Sequence, residues 1–343
     1  MSYIRAGYVN DVHLPLMTEG DLQQLTHLNL AFGHVLEDEI VISHLKHIDV
    51  LRRIRGQYPE LKLILSVGGW SAGGFSEAAS TAEGRSKMAA SALRALEELP
   101  LDGIDLDWEY PSYGVAGIAS SKADKQNFTL LLRELREALD RKGKETAQHY
   151  LLTIAAGADQ YYLDGTEMDQ VHPLLDFIQL MTYDMRGGFQ VLTGHHTNLY
   201  TPSGDLFRIS ADASVRLFAG AGVPLSKIVL GAAFYSRLWT GVPDRDNGLH
   251  QMAASTGGYG PNYTELAENY INVQGYRRHW DEEAQAPYLF NGETFISYED
   301  EQSIEAKCAY IREHALGGLM FWEYGLDRTG NLIAAMTKGL RDN

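Results

Sequence analysis

Eight times along this chain a short apolar run gives way to a longer stretch of helical period. The strand-like runs are Ile4 to Val9, Leu28 to Phe32, Leu61 to Val67, Gly103 to Trp108, Leu151 to Ala156, Phe177 to Tyr183, Ile228 to Phe234 and Gly318 to Trp322. Between them lie helical segments such as Leu45 to Gln57, Gly84 to Leu99 and Ala123 to Arg141. The second is preceded by the capping-box pattern Ser80-Thr81-Ala82-Glu83, and the third runs into Gly143, a suitable left-handed terminator. A length of 343 residues fits two average domains or one large α/β barrel. Eight strands each followed by a helix is the count of a parallel barrel closed on itself, so the predicted fold is α/β, a (β/α)8 TIM barrel formed as one domain over residues 1–343. The interval from Phe234 to Gly318 is far longer than one helix and loop require, and its composition shifts to Gly, Tyr and Asn. It is read as a small α+β insertion over roughly 241–294, between strands seven and eight, followed by a helix from Ser303 to His314. Such an insertion would form a wall beside the barrel mouth and turn a bowl into a groove.

The fourth run carries an unusual pattern. In Leu101-Asp-Gly-Ile-Asp-Leu-Asp-Trp-Glu-Tyr-Pro111, Asp105, Asp107 and Glu109 alternate with Ile104, Leu106 and Trp108. Side chains at i, i+2 and i+4 of a strand leave from one face, so three acids stand in a row roughly 7 Å apart with apolar residues opposite. Crowded carboxylates raise the pKa of at least one member, which can then keep a proton near neutral pH. A solvated edge strand is disfavoured because the apolar side is too rich; the row by itself is compatible with a general acid or with a divalent-cation site. Asp102 points off this face and is assigned a structural role. Trp108 shares its face with Leu106 and Ile104 and is assigned to the core.

The 45 acidic against 29 basic residues leave a formal charge of -16 with no basic cluster, which argues against nucleic acid or an anionic membrane as partner. No apolar run approaches the roughly 20 residues needed to cross a bilayer. Cys308 is the one cysteine, so no intrachain disulfide forms, and its helical setting makes it a packed thiol. His195-His196 invites a metal reading that is set aside, because neighbouring side chains diverge and no acid sits at ligand spacing. Gly68-Gly69 continues into Trp-Ser-Ala-Gly-Gly with no lysine, so close backbone approach is favoured over a phosphate cradle. No cofactor or metal is expected.

Asp102-Gly-Ile-Asp-Leu-Asp-Trp-Glu109 matches in full the Asp-Gly-x-Asp-x-Asp-x-Glu signature of glycoside hydrolase family 18, the family of chitinases. Ser66-Val-Gly-Gly-Trp70 resembles that family's strand-three motif, Met181-Thr-Tyr-Asp184 its strand-six motif, Ala233-Phe-Tyr-Ser-Arg237 its strand-seven segment and Phe321-Trp-Glu323 its strand-eight ending. Gly194-His-His-Thr-Asn-Leu-Tyr200 is similar to a stretch of a bacterial subgroup. The resemblance implies a retaining hydrolase of β-1,4-linked N-acetylglucosamine in chitin or its oligomers, in which the acetamido group of the sugar is the nucleophile. It implies Glu109 as acid and then base, Asp107 as the partner of the acetamido N–H, Asp105 as the group that holds or exchanges a proton behind Asp107, and Tyr183 as donor to the acetamido oxygen. Trp322 would floor the subsite of the distorted sugar. Asp184, Tyr8, Phe32, Gly69, Met181, Tyr235 and Arg237 would line it, Trp70 and Trp239 would stack at the rim or simply pack, and Trp280 is a weaker candidate. Met185-Arg-Gly-Gly-Phe189 departs from the His-Gly-x-Trp type segment that many members carry. The same motif serves endo-β-N-acetylglucosaminidases that trim N-glycans, and the fold occurs in silent lectins that lose an acid of the row, which this chain keeps. A monomer is expected, extracellular if an export signal has been removed and cytoplasmic if the chain is complete as given.

Overall fold

A computed structural model describes residues 3–341. Its strands are β1 (Ile4–Asn10), β2 (His27–Leu36), β3 (Glu39–Val41), β4 (Lys62–Gly68), β5 (Gly103–Asp107), β6 (Leu151–Gly157), β7 (Phe177–Met181), β8 (Ile228–Ala233), β9 (Tyr235–Trp239), β10 (Gly258–Asn262), β11 (Arg277–Asp281), β12 (Ala286–Phe290), β13 (Phe295–Ser297) and β14 (Gly318–Trp322). The order β1-β2-β4-β5-β6-β7-β8-β14 closes back on β1, and every neighbour is parallel. This is the (β/α)8 barrel that the eight apolar runs predict. β3 is a short hairpin partner on the extension of β2.

The inserted module is a five-stranded antiparallel sheet of order β10-β9-β13-β12-β11. It reaches beyond 241–294 at both ends, because β9 begins at Tyr235 and β13 ends at Ser297. Only Phe234 separates β8 from β9, so one apolar run in the sequence serves two sheets, and which partners it bonds is decided in space.

Two helix ends differ from the predicted ones. The helix Ala82–Glu98 starts earlier because Thr81 is its N-cap, its Oγ1 accepting from the Gly84 N–H at 3.0 Å. The helix Asp124–Thr146 runs through Gly143, and Ala147 takes the left-handed turn at φ 54°. Gly143 serves close approach instead: a Cβ there would stand 2.4 Å from the Gln148 carbonyl oxygen.

Trp108 is buried between barrel and helices, its ring stacked on Phe75 at 5.4 Å and edge-on to Phe128 at 5.6 Å. Asp102 accepts from the Leu63 N–H at 2.8 Å and pairs with Arg55, tying β5 to β4 away from the barrel mouth. Cys308 is buried, and burial pushes its thiol up to about 12. No helix among the described residues is long and apolar enough to cross a membrane.

Candidate active site

Register explains how the acid row is built. Asp105 on β5 lies opposite Ser66 on β4 and Thr153 on β6. Both neighbours are short hydroxyl residues in otherwise apolar strands, and both donate to it: Ser66 Oγ to Oδ2 at 2.8 Å and Thr153 Oγ1 to Oδ1 at 2.7 Å. Two longer side chains complete the set. The Tyr8 hydroxyl donates to Oδ2 at 2.9 Å, and Gln179 Nε2 donates to Oδ1 at 3.1 Å and to the Tyr8 oxygen at 2.8 Å. Asn29 Nδ2 in turn donates to Gln179 Oε1 at 2.9 Å. Asp105 is thus a fully enclosed acceptor at the bottom of the row.

Asp107 follows at the end of β5, buried, and its Oδ1 has no hydrogen-bond partner among the described residues. Glu109 stands just past the strand, also buried, where the Tyr110 hydroxyl bonds it. The backbone beside the row is set by glycine. Gly68 has φ 119° and a Cβ there would fall 2.1 Å from the Asp107 carbonyl oxygen; Gly69 has φ 94°, donates its N–H to that oxygen at 2.9 Å, and leaves space for the Phe32 ring.

An aromatic floor faces the acids. The Trp322 ring lies nearly parallel to Phe32 at 5.4 Å and tilted against Tyr8 at 5.7 Å, and Met181 and Tyr183 pack into the same cluster. Glu323 anchors the strand end, accepting from the Asn10 N–H at 3.3 Å and meeting His13 Nδ1 at 2.9 Å. On the module side, Arg237 Nε donates to Asp184 Oδ1 at 2.7 Å, the His196 ring lies 3.8 Å from the same oxygen, and the Tyr235 ring meets Tyr183 edge-on at 6.1 Å. Trp70 is 53% exposed at the rim, with Tyr110 edge-on at 6.5 Å.

Two sequence expectations need correction. Trp239 is wholly buried in the module, where its Nε1 donates to the Gln190 carbonyl and its ring packs on Phe295, so it presents no face to a ligand. The histidine pair does meet acids, supplied from elsewhere in the chain: His195 Nε2 lies 3.0 Å from Asp281 Oδ2, while His196 turns the other way to Asp184.

The charges are strongly perturbed. Burial raises Asp107 well above the usual carboxylate range, and the neighbouring Glu109 and Asp105 push it further. Burial likewise raises Glu109 from 4.5 to about 7; the Tyr110 hydrogen bond opposes this and the charge of Asp184 adds to it. Asp105 is raised by burial against the pull of its four donors. Asp184 goes the other way: burial alone would raise it, but the His196 ring and the Arg237 guanidinium hold it well below its ordinary range. One site therefore contains a fixed anion, a carboxyl kept protonated and a third carboxyl poised to give or take a proton near neutrality.

A family model described as Glycosyl hydrolases family 18 matches residues 4–327. The chain belongs to that family. Chitinase A1 of Niallia circulans is 40% identical over 305 residues, covering 83% of this chain and 43% of that protein. Chitotriosidase-1 of Mus musculus is 35% identical over 317 residues, covering 88% of this chain and 67% of that protein. The chain therefore spans less than half the length of the first of these relatives. Among solved structures, a glycoside hydrolase family 18 N-acetylglucosaminidase from Paenibacillus barengoltzii superposes with a TM-score of 0.97 at 64% identity, covering 98% of this chain and 100% of that one.

Several residues of the site were not singled out from sequence. Asn29, Thr153 and Gln179 are buried polar residues inside apolar strands, a signal that was available once strand identity was known. Tyr110 follows Glu109 directly. Tyr259, which is 73% exposed, sits in a segment without motif, and only the fold brings it to Arg237.

Proposed function

We propose that this chain hydrolyses β-1,4 bonds between N-acetylglucosamine units of chitin or its oligomers, with retention, using the substrate's own acetamido oxygen as nucleophile. The observation that carries the reading is the pairing of Glu109, raised to about 7, with a buried Asp107 oxygen that has no hydrogen-bond partner among the described residues, beside the Tyr183 phenol. In this reading Glu109 gives its proton to the departing glycosidic oxygen. The acetamido carbonyl oxygen closes on the anomeric carbon as that bond breaks, forming an oxazolinium ion. Asp107, keeping its proton, accepts the acetamido N–H on its second oxygen, while Tyr183 holds the carbonyl oxygen and the carboxylates of Glu109 and Asp105 balance the positive charge. Glu109, now a carboxylate, takes a proton from water, which opens the ring with the original configuration. The Trp322 and Phe32 rings supply a flat apolar floor for a pyranose. Asp105 acts through Asp107: its four donors favour the charge on Asp105, which leaves the shared proton of the pair on Asp107.

A second reading, removal of single N-acetylglucosamine units from chain ends, is favoured by the 64% identical structure described as an N-acetylglucosaminidase. A time-resolved product profile on chitotetraose and chitohexaose with anomers separated tests both. Hydrolysis whose first-formed reducing end is the β anomer supports the mechanism, and an α product refutes it. Monomer as the first product from both oligomers selects the second reading over internal cleavage. Turnover of a high-mannose glycopeptide in preference to chitotetraose would move the substrate to N-glycans.

A further inference from the structure

The ladder between β7 and β8 ends early. Parallel pairing joins Ile178 to Ile228 and Gln179 to Val229 and stops there, whereas β7 stays paired to β6 as far as Met181 and β8 to β14 as far as Ala233. Above that point a side chain closes the seam: Thr182 Oγ1 donates to the Gly231 carbonyl at 2.8 Å and accepts from the Gly231 N–H at 2.8 Å. Gly231 permits the approach, since a Cβ there would stand 2.4 Å from the Leu180 carbonyl oxygen. Tyr183 and Asp184 follow, and the segment His196-Thr197 brackets them. The Thr197 hydroxyl reaches the Thr182 carbonyl oxygen at 3.1 Å on one side, and the Met185 N–H donates to the His196 carbonyl at 3.1 Å on the other. Between these two ties Asp184 takes a left-handed φ of 55°.

The bracketing segment is in turn held from the exit of the inserted module. The His196 N–H donates to Ser297 Oγ at 2.9 Å, at the end of β13. Two residues on, Glu299 lies 2.8 Å from the Thr197 hydroxyl, accepts from Ser303 Oγ at 2.6 Å and pairs with Lys307 on the helix Glu301–Glu313. Lys307 directs its three donors to Glu299, to Thr197 Oγ1 at 2.7 Å and to the Gly231 carbonyl at 3.4 Å, so it touches both residues that hold Thr182. Thr182, Thr197, Glu299 and Lys307 are all buried. Taking two charges out of water is costly, and an apolar pair of similar volume commonly serves stability as well or better, so stability alone does not account for this one. Apolar side chains could not, however, hold the Thr197 hydroxyl and the Gly231 carbonyl in fixed directions. We infer that the buried Lys307–Glu299 pair is a positioning element for the reaction: through Thr197 and Gly231 it fixes the main chain that presents the Tyr183 phenol to the acid row. The inference rests on the reading under Proposed function for the part that Tyr183 plays.

A double-mutant cycle on chitotetraose turnover tests it. Thr197→Val keeps the shape of the side chain but lacks the hydroxyl that joins the pair to Thr182; it is expected to lower kcat about tenfold with KM within about twofold, while Thr197→Ser stays within about twofold of the parent. In a Tyr183→Phe background, which has no phenol left to place, Thr197→Val should lower kcat by less than about twofold further, because two changes that act through one group do not add. Lys307→Met combined with Glu299→Leu, which strands no charge, should show the same loss of kcat and the same lack of additivity. Thr197→Val at parental kcat overturns the inference, and so does an equal loss in both backgrounds, the mark of a structural effect that does not pass through Tyr183. Tyr183→Phe turning over as fast as the parent refutes the reading of Tyr183 under Proposed function and the inference with it, whereas additive losses beside a slow Tyr183→Phe refute the inference alone and leave that reading standing.

Discussion

Replacing Glu109 by glutamine should make the protein less active and more stable, with the second effect dependent on pH in a direction the structure dictates. Burial raises this carboxyl from 4.5 to about 7, so the folded state binds its proton more tightly than the unfolded chain does. A group of this kind contributes stability that is fully present below pH 4.5 and is lost as pH rises through about 7. At about 1.4 kcal/mol for each pH unit, the interval amounts to about 3 kcal/mol lost between pH 4.5 and pH 8. Glutamine has the shape of the protonated acid and does not ionise, so the variant escapes that loss. With an unfolding entropy of about 2.1 cal/mol/K per residue, 343 residues convert about 3 kcal/mol into roughly 4 °C of Tm. Thermal melts from pH 4.5 to 8.5 should therefore give curves that nearly coincide at the acid end and separate by roughly 4 °C at the alkaline end, glutamine above. Activity should fall by a factor on the order of 10² to 10⁴, the usual worth of a placed proton donor. Coincident melting curves at pH 8.5 would refute the claim that the fold holds Glu109 as a raised acid, and chitin-oligomer turnover within a few-fold of the parent would refute its role.

Three further changes test other parts of the site. Asp184→Asn removes an anion that raises Glu109 and leaves the Arg237 cation without its acid, so the basic limb of kcat/KM should move from about pH 7 to lower pH; a limb that stays in place or moves up contradicts the coupling. Gly69→Ala puts a methyl 2.8 Å from the Phe32 ring at φ 94°, which should displace that ring from Trp322 and raise KM for chitotetraose severalfold, and an unchanged KM would show the floor does not depend on the contact. Lys307→Met removes the cation from the buried Glu299 carboxylate, which Lys307, Thr197 and Ser303 now satisfy, and should cost about 3 to 5 kcal/mol in urea unfolding at pH 7; a loss below about 1 kcal/mol would mean the pair is dispensable.

The positions that could be read from the chain and those that could not differ in one physical respect. Local regularities survive in sequence. Eight apolar runs separated by helical period name a closed barrel, the alternation Asp105, Asp107, Glu109 puts three acids on one face whatever surrounds them, and Trp108 is core by the parity of the same strand. What those acids do is a property of their surroundings. The depth that lifts Glu109 to about 7, the convergence of Tyr8, Ser66, Thr153 and Gln179 on Asp105, and the pairing of Arg237 with Asp184 depend on residues 39 to 97 positions apart, and no spacing in the chain encodes them. The same holds for the two tryptophans that parity left undecided. Trp70 and Trp239 both lie a few residues beyond a barrel strand. Trp70 ends on a loop facing solvent, while the antiparallel pairing of β9 with β13 folds Trp239 into the module's interior, because which strand a residue bonds, and hence which side of it is covered, is settled only when the chain closes on itself.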